Sequence, residues 1–182
     1  MEDLTSLPPE APERLELIDG GLVVRAPQTL RHMLVVDALV AALRGSVARE
    51  LWVGRGLTVV CGPRQAPEPD VCVVRRPALL DHLEATMLDA ADVRLVVEVV
   101  SPASEILDKE RKPQIYAAAG IQHYWIVDRE GHTSVAYLYD LDPVHRVYGP
   151  ATIFRDRVDA VLPFPVSVDL SEERLISGRR GA

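Results

Sequence analysis

The stretch Arg94-Leu-Val-Val-Glu-Val-Val100 is apolar on both of its alternating faces apart from Arg94 at its start and Glu98 near its end. A continuous apolar run of this kind is typical of a strand buried in the middle of a sheet. An unpaired carboxylate there costs several kcal/mol, so Glu98 needs a cation, a metal ion or a position at the open end of the strand. From this residue alone, a structural salt bridge with one of the eighteen arginines and a functional carboxylate are equally good interpretations.

A second acid, Asp70, opens another strand-like run, Asp70-Val-Cys-Val-Val74, directly after Pro69. If the two strands are neighbours, the carboxylates of Asp70 and Glu98 converge and offer the oxygen ligands by which Mg²⁺ is usually held. The alternative is that Asp70 is a turn residue, because Asp is common after proline in turns.

The chain contains only two lysines, Lys109 and Lys112, beside eighteen arginines. Because this sequence uses arginine wherever charge suffices, a retained lysine indicates a role that arginine does not fill. One such role is a compact ammonium whose pKa is lowered to handle a proton, or which orients a water. The alternative is that the charged run from Asp108 to Lys112 forms a solvated helix face.

Hydrophobic periodicity and turn signals predict a mixed α/β domain. An Asp-Gly-Gly turn indicates a β-hairpin within 14–25, and apolar steps of three and four residues predict a helix from Thr29 to about Glu50. The further predicted elements are strands at 57–61, 71–74 and 94–100, a helix within 104–119 closed by Gly120, a hairpin of 123–128 with 133–139, short strands to about 169, and a capped helix start at 171. This order predicts a central mixed β-sheet flanked by helices.

The length of 182 residues and the hydrophobic fraction of 48% suit one core without disulfides or structural metal ions. We expect a single domain over residues 13–176, with a flexible N-terminal segment 1–12 and a frayed tail 177–182. No apolar run approaches the roughly 20 residues of a membrane span, and the N-terminus lacks a signal-peptide pattern, so we expect a soluble, cytoplasmic protein without membrane contact. The net charge of -7 argues against broad electrostatic coating of nucleic acid, whereas a compact metal site could still bind phosphate.

The candidate residues belong to an ordered set of motifs. The set comprises Glu16-Leu-Ile-Asp-Gly20, His32, Pro69-Asp70, Glu98-Val-Val-Ser-Pro102, Asp108, Lys112, Tyr116, Gly120-Ile121, Tyr124-Trp-Ile-Val-Asp128 and Pro163-Phe-Pro165. From about Leu15 to Leu170 the chain thus resembles the Uma2 family of restriction endonucleases, part of the PD-(D/E)XK superfamily. The superfamily lysine commonly stands two residues after the second acid, where this chain has Val100. In the Uma2 pattern it lies on the following helix, where Lys112 matches.

The resemblance implies a restriction-endonuclease-like core with an additional N-terminal hairpin and C-terminal strands. It implies that Asp70, Glu98 and the backbone carbonyl of Val99 hold one or two Mg²⁺ ions, for which Mn²⁺ is a possible substitute. Lys112 would orient the attacking water or stabilise the transition state, and the reaction would be hydrolysis of a DNA phosphodiester. A homodimer would allow two copies of one small site to cut both strands.

Four further positions are possible members of the site. Glu16 matches a family position as a metal or water ligand, although an acid before a hairpin turn is more often exposed. His32 could contact substrate phosphate, although a helix-terminal or core-facing histidine is the more common case. Asp108 and Tyr116 are spaced by four residues from Lys112, but Pro113 is expected to push Lys112 away from ideal helical angles, so a shared straight helical face is not expected.

A non-catalytic nuclease-fold module that binds protein or nucleic acid is the alternative function. The acidic net charge favours the module, and the retention of Asp70, Glu98 and Lys112 together favours the enzyme. The sequence contains no GxxxxGK[ST] phosphate loop, GxSxG elbow, HExxH, GxGxxG or zinc-type Cys/His spacing, so the enzyme classes that carry those motifs are not indicated.

Overall fold

The structure is a computed structural model that describes residues 14–77 and 83–177. The predicted flexible segment 1–12 and the tail residues 178–182 lie outside the described residues. The strands are β1 Leu15–Ile18, β2 Gly21–Val24, β3 Leu51–Gly54, β4 Thr58–Val60, β5 Val71–Arg75, β6 Met87–Asp89, β7 Val93–Val99, β8 His123–Glu130, β9 Thr133–Asp142, β10 Val147–Tyr148, β11 Thr152–Arg155, β12 Arg157–Ala160 and β13 Val166–Asp169. The helices are α1 Leu30–Ser46, α2 Lys112–Ala118 and α3 Glu172–Ser177, with a 3-10 turn at Ala90–Asp92 and a π-helical turn at Leu107–Arg111.

A mixed sheet of seven strands forms the centre of the domain, as the sequence predicted. Its strand order is β10-β9-β8-β7-β5-β3, and β11 also pairs with β9, on the edge that faces away from β8. Strand β7 lies between antiparallel β5 and parallel β8. Its residues are buried except for the partly exposed Arg94, which confirms that the Val93–Val99 run is a central strand.

Apolar residues on the two faces of this sheet form two cores. On one face, α1 and the β12–β13 hairpin cover the odd-numbered residues of β7 and β8, such as Val97 and Trp125. On the other face, α2 covers even-numbered residues such as Val96 and Tyr124. Glu98 belongs to the second set by its position in β7, so α2 lies over the same face as its carboxylate.

The N-terminal hairpin has the predicted turn. Asp19 and Gly20 both have positive φ, 54° and 83°, as a two-residue hairpin turn of the primed type requires. The Leu17 amide donates to the Ala66 carbonyl, and the Ala66 amide donates back to the Leu17 carbonyl. These bonds fasten β1 to the loop before β5, and β1 is buried along its length.

Helix α1 is shorter than predicted. Thr29 caps its start by accepting from the His32 amide, and the helix ends at Ser46 rather than near Glu50. The following residues turn into β3, Leu51–Gly54, which was not predicted from the sequence. The predicted strand at 57–61 exists as β4, which pairs with β6 in a separate two-stranded sheet.

In the described parts of the chain, no helix combines the length and apolar character that crossing a membrane requires.

Candidate active site

Asp70 and Glu98 lie side by side on neighbouring strands. The antiparallel register pairs Val71 with Val97, which places Asp70 opposite Glu98 one step further along. The Val99 amide donates to Asp70 Oδ2 over 2.8 Å. Both acids are buried, Asp70 at 4% and Glu98 at 0% exposure. The two carboxylates therefore share one site, as the sequence predicted.

Lys112 lies among three buried carboxylates. Its Nζ is 2.9 Å from Glu16 Oε1, 3.1 Å from Glu98 Oε1 and 3.1 Å from Asp108 Oδ1. Burial alone would lower the pKa of Lys112, but the neighbouring carboxylates, Glu98 first, raise it above the ordinary value. The ammonium is thus held in its charged form, the opposite of the lowered pKa that the sequence suggested.

A π-helical turn positions Lys112. The Lys112 amide donates to the Leu107 carbonyl, five residues earlier, and Lys112 has helical angles of φ -60° and ψ -38°. The expectation that Pro113 would displace Lys112 from helical angles was therefore wrong. In a regular α-helix, a proline lacks the N–H for the backbone hydrogen bond, and its ring clashes with the carbonyl four residues earlier. The wider π-helical turn before Pro113 avoids this clash.

The same turn brings Asp108 and Tyr116 to Glu98. Asp108 contacts Lys112, and the Tyr116 hydroxyl donates to Glu98 Oε1 over 2.7 Å. The Tyr124 hydroxyl donates to the Asp108 carbonyl over 2.6 Å. Although the helix is not a regular α-helix here, Asp108, Lys112 and Tyr116 converge. Within the charged run, Asp108 and Lys112 are buried and the residues between them are not.

The two strand-borne acids have opposite electrostatic environments. Burial, together with the nearby acids Asp108, Asp70 and Glu16, raises the pKa of Glu98 to about 8 against the opposing influence of Lys112. Burial also acts to raise the pKa of Asp70, but His32, Arg25 and the Val99 amide overcome it and hold that pKa at about 2. Asp70 is therefore ionised at neutral pH, whereas ionised Glu98 requires more positive charge than Lys112 supplies.

Asp70 is held by donors from the segment between β2 and α1. Arg25 Nη2 donates to Asp70 Oδ1 over 2.6 Å, and Gln28 Nε2 donates to the same oxygen over 3.2 Å. The Nε2 atom of His32 lies 3.2 Å from it as well. His32 is thus buried at the start of α1, as expected for a helix-terminal or core-facing histidine, and it also lies beside an acid of the site. Its contact with substrate phosphate stays a prediction.

Glu16 is buried at 2% exposure, so the expectation of a merely exposed acid was wrong. Its Oε1 contacts Lys112 and accepts from the Glu68 amide over 2.9 Å. The bonds between β1 and the loop before β5 hold this face of the hairpin against the site. A tertiary contact that the local pattern does not encode therefore decides the burial of Glu16.

The sequence analysis missed Arg25, Gln28 and Glu68. Arg25 Nη1 donates to the Glu68 carbonyl over 2.6 Å and lies 3.1 Å from Glu68 Oε1. Arg14 also contacts that carboxylate, at 2.6 Å. The one available signal was Glu68 itself, an acid between two prolines and two residues before Asp70. Nothing in the sequence distinguishes Arg25 from the other seventeen arginines.

A small cavity of about 70 Å³ opens beside these residues. Its lining combines anionic and cationic side chains with neutral donors, and includes Glu16, Arg25, Gln28, His32, Ser104 and Lys112. Three of the eight predicted site residues line this cavity: Glu16, His32 and Lys112. Asp70, Glu98 and Asp108 lie within contact distance of His32 or Lys112, and Val99 and Tyr116 donate hydrogen bonds to Asp70 and Glu98.

Comparisons with known proteins identify the family and support the fold. The Uma2 family model, described as "Putative restriction endonuclease", matches residues 1–171. The chain belongs to the Uma2 family. Among solved structures, the "putative nuclease belonging to DUF820" from Anabaena variabilis superposes with a TM-score of 0.72 at 18% identity, over 97% of this chain and 96% of that one. This likeness supports the fold. No curated protein matches the chain.

The site of Asp70 and Glu98 has unused oxygen lone pairs that a divalent cation could take. Glu98 Oε2 is buried without a hydrogen-bond partner among the described residues, and Asp70 Oδ2 accepts only the Val99 amide there. Within 14–77 and 83–177, no three acid, His or Cys side chains gather around one cation position. The free lone pairs of these two carboxylates are hard oxygen donors of the kind that suit Mg²⁺, which keeps several waters in protein sites. The residues present therefore fit such an ion.

The opposite environments of Asp70 and Glu98 predict opposite effects on stability in metal-free buffer. Asp70→Asn removes a buried charge that pairs with Arg25, so we expect the free energy of unfolding to fall by on the order of 2 kcal/mol at pH 7. Glu98→Gln keeps an oxygen to accept from Lys112 and Tyr116 and removes a carboxyl group whose ionised form the site compensates poorly, so we expect stability to be unchanged or higher. Urea denaturation of both variants measures this, and a fall of similar size in both would contradict it.

Proposed function

We propose that this Uma2 protein is a metal-dependent endonuclease that hydrolyses phosphodiester bonds in DNA. The observation that carries the proposal is the buried cluster of Asp70, Glu98 and Lys112, in which one carboxylate oxygen of Glu98 has no partner among the described residues. The family description names a restriction endonuclease, which supports a nuclease and makes DNA a better candidate substrate than RNA.

In this proposal, Asp70, Glu98 and the Val99 carbonyl hold one or two Mg²⁺ ions, with Mn²⁺ as a possible substitute. When bound, the metal ion polarises the phosphoryl group and lowers the pKa of a bound water. Asp70 is ionised in advance by its contacts with Arg25 and the Val99 amide. Val99 therefore takes part twice, because its amide orients Asp70 and its carbonyl supplies a ligand.

Lys112 supplies positive charge beside the reacting phosphate. Its ammonium is fixed by three carboxylates and lines the cavity that opens beside the two acids. Tyr116 holds Glu98 Oε1 from the same helix. A fixed, charged ammonium at this place orients a water or stabilises the negative charge that develops on the phosphoryl oxygens.

The alternative is a non-catalytic module with the same fold. The net charge of -7 favours it, because such a chain attracts nucleic acid poorly over long distances. The buried acids argue against it. Well-packed apolar residues in place of a buried ion cluster are often neutral or stabilising, so a scaffold gains little from keeping Glu98 and Lys112 where they are.

Glu98→Gln tests the enzyme directly, because we expect this variant to fold. The variant should lose Mg²⁺-dependent plasmid cleavage by at least roughly a hundredfold and should lose the calorimetric signal of Mn²⁺ binding. Glu110→Gln is the matched control, because Glu110 is exposed on the same charged run as Lys112 and should retain both activities. Wild-type protein that binds Mn²⁺ but leaves plasmid and linear DNA intact would favour the non-catalytic module.

Lys112→Met and Lys109→Met separate the site lysine from its surface neighbour. Lys112→Met leaves three buried carboxylates without their common cation, so we expect both lost cleavage and a stability loss of about 3–5 kcal/mol. Lys109 is partly exposed and contacts Glu105 and Asp128, so its loss should leave cleavage intact and lower stability by no more than about 1 kcal/mol. Thermal melts measure the loss of stability. Cleavage is assayed at about 15 °C, near the temperature at which proteins are usually most stable, so that the variants stay folded. Full activity in Lys112→Met would refute the role of Lys112.

We further propose that the protein acts as a homodimer. One small site that cuts both strands of a duplex is most simply arranged as two copies related by a two-fold axis. Multi-angle light scattering at concentrations on the order of tens of micromolar should give twice the chain mass. A strict monomer at these concentrations, with or without a short duplex, would contradict the proposal.

A further inference from the structure

Arg25, at the end of the N-terminal hairpin, bridges two acids of the site. Its Nη2 donates to Asp70 Oδ1 over 2.6 Å, and its Nη1 donates to the Glu68 carbonyl over 2.6 Å. Only 12% of its side chain is exposed. A guanidinium held on two sides in this way is a fixed positive charge beside the proposed metal ligand Asp70.

The two oxygens of Asp70 differ in their remaining capacity. Two donors, Arg25 Nη2 and Gln28 Nε2, occupy the two lone pairs of Oδ1, and His32 Nε2 lies 3.2 Å from the same oxygen without donating a hydrogen bond to it. Only the Val99 amide donates to Oδ2 within the described ranges. A cation that binds Asp70 must share the carboxylate with the Arg25 charge or displace Arg25 from it.

We propose that Arg25 controls the access of divalent cations to Asp70. Its guanidinium neutralises the carboxylate before a cation binds and leaves Oδ1 when a cation arrives. The inference rests on the proposed function, because it takes Asp70 as a metal ligand. Arg25 is thus a positioning residue that acts through Asp70, and its charge opposes the charge of the incoming ion.

In this proposal, the displaced Arg25 guanidinium binds the substrate phosphate in the same cavity. Nη1 remains bound to Glu68, so the side chain stays at the cavity wall when Nη2 leaves Asp70. The anion that reaches this cavity during the proposed reaction is a phosphodiester, which arginine binds well. Metal binding at Asp70 therefore releases a donor for the substrate phosphate, and the two binding events favour one another.

Calorimetric titration with Mn²⁺ alone, without DNA, tests the proposal. Arg25→Gln removes the opposing charge and frees Oδ1, so its dissociation constant for Mn²⁺ should fall by on the order of tenfold. Arg25→Lys retains the charge and should stay within about threefold of the wild type. Arg14→Gln is the matched control, because Arg14 contacts Glu68 but not Asp70, and it should change the constant by less than about threefold as well.

A purely structural role for Arg25 predicts the opposite result. Arg25→Gln would then bind Mn²⁺ as weakly as the wild type or more weakly, and that outcome overturns the inference while the proposed function stands. Failure of the wild type to bind Mn²⁺ at all overturns the metal site itself. The two failures are therefore distinguishable.

A measurement on the wild type keeps the test decisive if Arg25→Gln does not fold. In ¹⁵N spectra of the arginine side chains, the Arg25 guanidinium should be protected from exchange in metal-free buffer and should lose that protection when Mg²⁺ saturates the site. Arg25→Lys assigns the signal. An Arg25 signal that keeps its position and protection at saturating Mg²⁺ overturns the proposal.

Discussion

The contact of one buried ammonium with three buried carboxylates is the constraint on which this site depends. Glu16 comes from β1, Glu98 from β7 and Asp108 from the π-helical turn, and they meet only at Lys112. Each of these charges would be costly alone in the interior. The hairpin, the central strand and the crossover helix must therefore dock together for any of them to be buried, which couples the fold of the site to the fold of the domain.

The crossover between the parallel strands β7 and β8 determines where that ammonium lies. The chain leaves β7 just after Glu98, makes the π-helical turn and returns through α2 over the same face of the sheet. A regular α-helix would place Pro113 against a carbonyl of the preceding turn. The wider turn avoids this clash and still directs Asp108, Lys112 and Tyr116 toward Glu98, so one local irregularity satisfies both the backbone and the site.

The sequence predicted those parts of the fold and site that depend on local patterns, such as apolar runs and turn residues. The apolar run around Glu98 identified the central strand, and the Asp-Gly pair identified the hairpin. The scarcity of lysine drew attention to Lys109 and Lys112 alike, and only the resemblance to the Uma2 pattern singled out Lys112. The sequence did not predict features that depend on contacts between residues far apart in the chain. Glu16 looked like an exposed acid because its burial depends on the loop before β5, and Arg25 resembled seventeen other arginines because only packing brings it to Asp70. The π-helical turn leaves no periodic signature in five residues.

The charges of the site also explain how an acidic chain could act on DNA. Lys112 and Arg25 are the cations at the cavity, and in the structure each is engaged by carboxylates. Neither is free to attract phosphate over a distance, which agrees with a net charge of -7 that gives little long-range steering. On the proposed mechanism, a divalent cation at Asp70 and Glu98 adds positive charge and simultaneously loosens Arg25 from its carboxylate. Affinity for phosphate then develops at the place where the bond is cut, and it depends on the metal ion rather than on the protein surface.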